Sequence, residues 1–150
     1  MGSYEAAKYY LNTHAERKIK LPLVIWQSGK SFRKEIDQPT KFMRLKEFYQ
    51  LEFQILFSPS TGNDYYPSIV EHTNKYLSSW IVACKKEASD RLPSYVTETT
   101  DIICETNSME VASISRRTDL EGIKNIEVAI GLDRGLYCRN LGIYDQKNKN

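Results

Sequence analysis

Leu21-Pro-Leu-Val-Ile-Trp26, Ser31-Phe-Arg-Lys-Glu-Ile36 and, beyond Asp37-Gln-Pro-Thr-Lys41, Phe48-Tyr-Gln-Leu-Glu-Phe-Gln-Ile-Leu-Phe57 decide the fold. The first run is apolar and opens near a proline, which can begin a strand because a first residue needs no ladder donor; a buried strand is expected over 23–27. After Ser28-Gly29-Lys30 the period is two: Phe32, Lys34 and Ile36 fall on one side, Ser31, Arg33 and Glu35 on the other. Residues 37–41 have loop chemistry, and 42–57 form a second arm rich in Phe, Tyr, Leu and Ile, so the arms are expected to make an antiparallel hairpin. On the second arm Tyr49, Leu51, Phe53, Ile55 and Phe57 share the expected core face. Phe48, Gln50, Glu52, Gln54 and Leu56 share the other, where a ring sits among polar groups. If Arg33 and Glu35 face the side of Phe48 and Glu52, three groups converge: a guanidinium for phosphate, a carboxylate for an exocyclic amine and a ring for a planar base. The alternative is a solvated face on which those charges pair across strands.

Outward from the hairpin, Tyr4, Ala7, Tyr10 and Leu11 carry helical spacing and predict a helix over 4–14. Ser58 to Tyr66 is a loop, and Ile69, Thr73, Tyr76, Leu77, Trp80, Ile81 and Cys84 predict a helix over 67–88. Strands are expected over 100–106, 109–116 and 126–130, then a helix over 132–141 running into Gly142, and a fraying polar tail over 145–150. This order predicts an α+β domain spanning 1–150, an antiparallel sheet with helices packed against one side. Residues 109–119 alternate polar groups onto both faces, which a fully buried strand would tolerate only at a cost. Asn125-Ile-Glu-Val-Ala-Ile-Gly-Leu-Asp-Arg134 is a strand with one carboxylate, Glu127, ending at a glycine before a helix, where backbone donors and a helix dipole meet.

A chain of 150 residues and 17.4 kDa holds one core and excludes a large modular enzyme. Twenty-one Lys and Arg against nineteen Asp and Glu leave +2, too little for nucleic-acid binding over the whole surface. RNA contact would have to be local, as at Arg17-Lys18-Ile-Lys20 or Lys85-Lys86, and such exposed basic groups are usually solvated. Cys84, Cys104 and Cys138 are widely spaced with only His14 and His72 to complete a metal site, so reduced thiols used as packing are expected, not zinc. No apolar run approaches a bilayer span and no signal-peptide pattern opens the chain, so a cytoplasmic protein without membrane contact is expected.

The stretch Lys20-Leu-Pro-Leu-Val-Ile-Trp-Gln-Ser-Gly-Lys-Ser-Phe-Arg-Lys-Glu-Ile36 resembles the approach to motif 2 of class II aminoacyl-tRNA synthetases, in particular glycyl-tRNA synthetase, with its KLPFAAAQIGxSFRNEI. The likeness runs on through Arg44 and Phe48 into residues 49–57. Residues 109–120 are similar to the family's KELVGIANRTDYDL, Glu127-Val-Ala-Ile-Gly-Leu-Asp-Arg134 is similar to motif 3, and Tyr4-Glu5-Ala6-Ala7 echoes a PETA segment. The resemblance covers about 20–57 and 92–137 and implies the class II antiparallel fold. It implies that Arg33 grips the α-phosphate of ATP and the reacting carboxylate, Glu35 meets the adenine amine, Arg44 meets the terminal phosphates, and Phe48 and Arg134 bracket the base. Glu127 would help hold Mg2+, and Glu5, Glu52, Glu110 and Arg117 would hold glycine or another small amino acid. The implied reaction is adenylation, an attack by a carboxylate on the α-phosphorus, driven by positioning and charge neutralisation.

Motif 1 and an anticodon-binding domain have no place in these 150 residues, Ser3 stands where the family has arginine, and Ala129 where motif 3 has serine. A truncated adenylate-forming relative is therefore expected, alongside a second expectation: an inactive paralogue recruited to a protein or RNA partner. Specific tRNA charging fits the length least. Without motif 1, a monomer or an unconventional homodimer is expected.

Overall fold

The structure, a computed structural model, describes residues 2–14, 19–32, 47–81 and 83–147. Its elements are α1 (Ser3–Thr13), β1 (Leu23–Phe32), β2 (Glu47–Phe57), α2 (Tyr66–Trp80), β3 (Cys84–Ala88), β4 (Val96–Cys104), β5 (Glu110–Arg117), β6 (Lys124–Gly131) and α3 (Leu132–Lys147). The strands form a six-stranded sheet in the order β1-β2-β6-β5-β4-β3, antiparallel at every pairing. The chain is thus α+β, and the expected hairpin of β1 and β2 is present, in register from Leu23 opposite Leu56 to Phe32 opposite Glu47.

Ser28-Gly29-Lys30, expected to separate two strands, lies inside β1. Gly29 faces Gln50 in an unbroken ladder; pairing with β2 outweighs the local turn preference, as context commonly does in sheets. The remainder of the expected arms, 33–36 and 42–46, and the loop between them lie outside the described residues.

The sheet's back face carries the main core. Ile102, Ile114, Val128 and Ile130 pack there against Tyr66, Val70 and Leu77 of α2 and Cys138 of α3, each buried aliphatic chain contributing about 1.5–3 kcal/mol. Among the described residues the front face is covered by a helix at one end, where α1 seats Ala7 on Leu56 and Leu120. Helices therefore lie on both sides, not one. The same cover reverses the expected burial on β2: Gln54 and Leu56 of the polar face are fully buried, whereas Leu51, Phe53 and Ile55 are only partly covered.

The helix expected over 67–88 stops at Trp80. The Ile81 N–H donates to the Leu77 carbonyl at 2.6 Å while Ile81 itself turns extended, and Cys84–Ala88 pairs with β4, Cys84 opposite Cys104. Apolar spacing reads through such a boundary because a buried strand and a buried helix face present similar residues. Tyr76, expected in the stripe, is 65% exposed. At the other end of the chain α3 runs through Gly142 to Lys147; among described glycines only Gly122 takes a positive φ, 73°, so Gly142 is not a left-handed stop. Gly135 has a packing reason, since a Cβ there would come within 2.6 Å of the Trp80 ring.

All three cysteines are free and buried. Burial pushes Cys84 up to about 11 and Cys138 up to about 12, so they remain protonated packing groups. No helix among the described residues is long and apolar enough to cross a membrane.

Candidate functional site

The front face is polar because alternate residues of four adjacent strands point the same way. The register sets Glu52 beside Ala129, Gln54 beside Glu127, and Ser113 and Ser115 beside Ala129 and Glu127. Arg117 follows on the same side of β5, opposite Asn125.

Glu52, Gln54, Glu127 and Arg117 form one network with Ser3 at the end covered by α1. Ser3 Oγ donates to Glu52 Oε2 at 2.5 Å. Gln54 Nε2 donates to Ser3 Oγ at 3.0 Å and to Glu127 Oε2 at 2.6 Å. Glu127 Oε2 also accepts from Arg117 Nη1 at 2.7 Å. The Arg117 guanidinium forks onto Asp119 at 3.0 and 2.6 Å and is stacked between Tyr4, 3.6 Å from its ring centre, and Tyr95, at 4.6 Å. Burial pulls the Arg117 pKa down, but its bonds to Asp119 and Glu127 more than offset this and raise it; the same bond holds the Asp119 carboxyl below its ordinary range. Gln54 is completely buried, yet its Oε1 accepts no hydrogen bond. An orphan acceptor on a side chain this buried is costly unless a donor arrives.

Further along the same face Phe48, Gln50, Ala129, Gly131, Glu110 and Arg134 line a depression of about 50 Å³. Its floor is fixed by the β6–α3 junction: Asp133 Oδ2 accepts from the Tyr49 N–H at 2.7 Å, and Arg134 Nη1 donates to the Glu110 carbonyl at 3.3 Å. Beside it burial, then the Glu110 and Glu87 charges, push the Asp101 carboxyl up to about 6.

The face thus brings together Glu52, Glu127 and Arg117 at one end and Phe48, Glu110 and Arg134 at the other. Glu110 lies with Arg134, not with Arg117. Glu5 stays exposed in the first turn of α1 beside Gly2, and Ser3 reaches the network in its place. Arg33, Glu35 and Arg44 lie outside the described residues. Sequence reasoning missed Ser3, Gln54, Asp119 and the two tyrosines as network members. Gln54 had a signal, its place on the polar face with Glu52; Tyr95 had none.

Among the described residues no three carboxylates, histidines or cysteines converge as a metal site, and Glu127 Oε2 is already shared by a guanidinium and an amide. The donor set does not build a resident metal centre.

No family model matches the chain. It is similar to the glycine-tRNA ligase of Mycoplasma capricolum, 32% identical over an alignment of 99 residues that covers 62% of this chain and 22% of that protein. The glycine-tRNA ligase of Acetivibrio thermocellus is 29% identical over 102 residues, 62% of this chain and 21% of the ligase. That of Staphylococcus aureus strain JH9 is 30% identical over 125 residues, 79% of this chain and 27% of the ligase. The chain therefore contains a glycyl-tRNA synthetase-like region and spans about a fifth to a quarter of the length of the curated relatives it matches.

Proposed function

We propose that the front face is an adenylate-forming site of the class II glycyl-tRNA synthetase kind, binding ATP across Phe48 and Arg134 and a small amino acid at Glu52, Gln54 and Glu127. The observation that carries the reading is the buried Gln54 amide, whose Nε2 is tied to Glu127 and, through Ser3, to Glu52, and whose Oε1 is unpaired. An ammonium is the donor that an orphan carbonyl and two carboxylates suit together. Arg117, stacked between Tyr4 and Tyr95, walls off the space beyond and favours an amino acid with little or no side chain. Phe48 supplies a face for a base and Arg134 a cation beside it. Along the face, the amino-acid carboxylate would then lie toward the nucleotide, where its attack on the α-phosphorus forms the adenylate and releases pyrophosphate. In this reading Arg33, Glu35 and Arg44 keep the roles that the family resemblance gives them. Magnesium would arrive on the phosphates of ATP, whose oxygens and waters are its usual ligands, and Glu127 would offer it the oxygen that Arg117 and Gln54 do not hold.

The test is calorimetric titration with magnesium ATP and then with a non-hydrolysable glycyl-adenylate analogue, on the chain and on Arg33→Ala and Glu52→Ala. Much tighter binding of the analogue than of ATP, lost in both variants, supports the reading, and pyrophosphate exchange then reads turnover. A folded chain that binds neither ligand refutes it. That outcome favours a second reading, a synthetase-derived module acting on a protein or RNA partner, for which the exposed apolar rings Trp26 and Tyr76 speak.

A further inference from the structure

Where β5 ends and β6 begins, residues of both sheet faces meet around a cavity of about 380 Å³. Phe57 and Ile126 reach it from the back face, Asn125 and Arg117 from the front, and Asp64 and Tyr65 from the loop after β2. Asn125 and Gly131 stand at opposite ends of β6, about 20 Å apart along the strand, so this is not the depression at Phe48 and Arg134. Of the front-face network Arg117 alone lines it, and that guanidinium is committed to Asp119 and Glu127.

Asn125 sets the chemistry of the cavity. Its side chain is 3% exposed, and among the described residues neither its Nδ2 nor its Oδ1 has a hydrogen-bond partner. A buried amide without partners is costly, and here donor and acceptor are both open, whichever way the group is turned. A ligand that satisfies it offers an acceptor and a donor side by side. An extended peptide residue does so, because its own N–H and C=O point to the same side of the strand. The walls beside the amide are aromatic, with Tyr65 stacked on Phe57 at 4.8 Å between ring centres. Three cations also line the cavity. Arg116 is bound by Asp64 and Glu98, and Arg117 by Asp119 and Glu127. Lys124 donates to the neutral Thr61 carbonyl at 3.3 Å, so among the described residues it is the one of the three that no carboxylate binds.

We propose that this cavity binds the C-terminus of a polypeptide. Asn125 pairs with the N–H and C=O of the penultimate residue, Lys124 takes the terminal carboxylate, and an apolar terminal side chain lies on Phe57 and Tyr65. The single charge of a carboxylate matches one ammonium, whereas a phosphate brings about two. Asn63, Asp64, Thr97 and Thr118 are exposed at the rim, which lets the rest of the bound chain lead out to solvent. The volume lies in the ~300–1,000 Å³ range of small-ligand sites, enough for the end of a chain and not for a folded partner. The proposal does not depend on the adenylation reading.

Calorimetric titration with N-acetyl-alanyl-phenylalanine, which carries a free carboxylate, and with its C-terminal amide tests it. The acid is expected to bind, and the amide to bind about tenfold more weakly, as the loss of one charge-assisted hydrogen bond implies. Lys124→Met, at an exposed position, is expected to bind acid and amide alike. Asn125→Leu removes polar atoms that lack partners, so it is expected to fold at least as well as the parent and to lose the peptide. Excess glycine is expected not to displace the peptide, which keeps the result separate from the front-face site. A folded parent that binds neither peptide overturns the proposal, as does equal binding of acid and amide or binding that survives Asn125→Leu. Displacement by glycine overturns it too, as does Asn125-dependent displacement by adenosine monophosphate, since the cavity would then hold a base. A preference for the unacetylated dipeptide would make the ligand a free small molecule and overturn the chain end.

Discussion

The two ends of the front face differ in how they are held. At the α1 end Ser3, Glu52, Gln54, Glu127, Arg117 and Asp119 are tied into a continuous chain of hydrogen bonds. At the α3 end Phe48 and Arg134 flank a shallow depression, and a backbone carbonyl holds Arg134 at 3.3 Å. The first end is organised before any ligand comes, at the cost of one unpaired amide oxygen. The second has little to lose if a side chain moves. Perturbation should therefore cost stability at the first end and affinity at the second.

Arg117→Leu is the most severe way to break the first end, because it strands Glu127 and Asp119 together with side chains only 24% and 28% exposed. A loss of about 3 kcal/mol in chemical denaturation is expected; a loss near zero would show that the network is not a structural unit. Gln54→Glu places a third carboxylate at a fully buried position between Glu52 and Glu127. About 2 kcal/mol should be lost at neutral pH and largely recovered near pH 5, as the new carboxyl takes up a proton. Gln54→Met should show no such recovery.

Asp101 sharpens the contrast from the other end. Its folded pKa is raised to about 6, so its contribution to stability is present below its unfolded value of about 4 and lost as pH rises through 6. Asp101→Asn should gain about 1 kcal/mol at pH 7, after allowance for solvent screening, and flatten the melting temperature between pH 4 and 7. Asp119 has the opposite sign: its carboxyl is held low by Arg117, and its contribution is lost as pH falls through the folded value. Arg134→Ala should give the smallest change in stability, under about 0.5 kcal/mol. Titration should nonetheless show nucleotide binding weakened roughly tenfold, a difference of about 1.4 kcal/mol; unchanged nucleotide affinity would remove Arg134 from the site.

The polar face of β2 and the carboxylate on β6 were legible because strand period alone puts Glu52, Gln54 and Glu127 on their faces. That they are joined was not legible, since the register bringing Gln54 to Glu127 spans 73 positions and local spacing carries no such information. The end of α2 was misread because Ile81 and Cys84 suit helix and strand equally. Ser3 looked like the loss of an arginine; only the placement of α1 over Leu56 shows its hydroxyl replacing solvent between Glu52 and Gln54.

The strand order also has a kinetic side. β3 to β6 form a meander of neighbours in sequence, β1 and β2 form a separate hairpin, and the two meet only along the β2–β6 ladder. Contacts between near neighbours form fastest, and those that close long loops form last. The Gln54–Glu127 bond crosses that seam, and the Ser3–Glu52 bond adds α1 to it. In refolding, sheet ellipticity should recover before Arg117 and Tyr4 come together, so the polar network of the front face is assembled in the final step, and a chain arrested one step earlier would carry most of its secondary structure without that network.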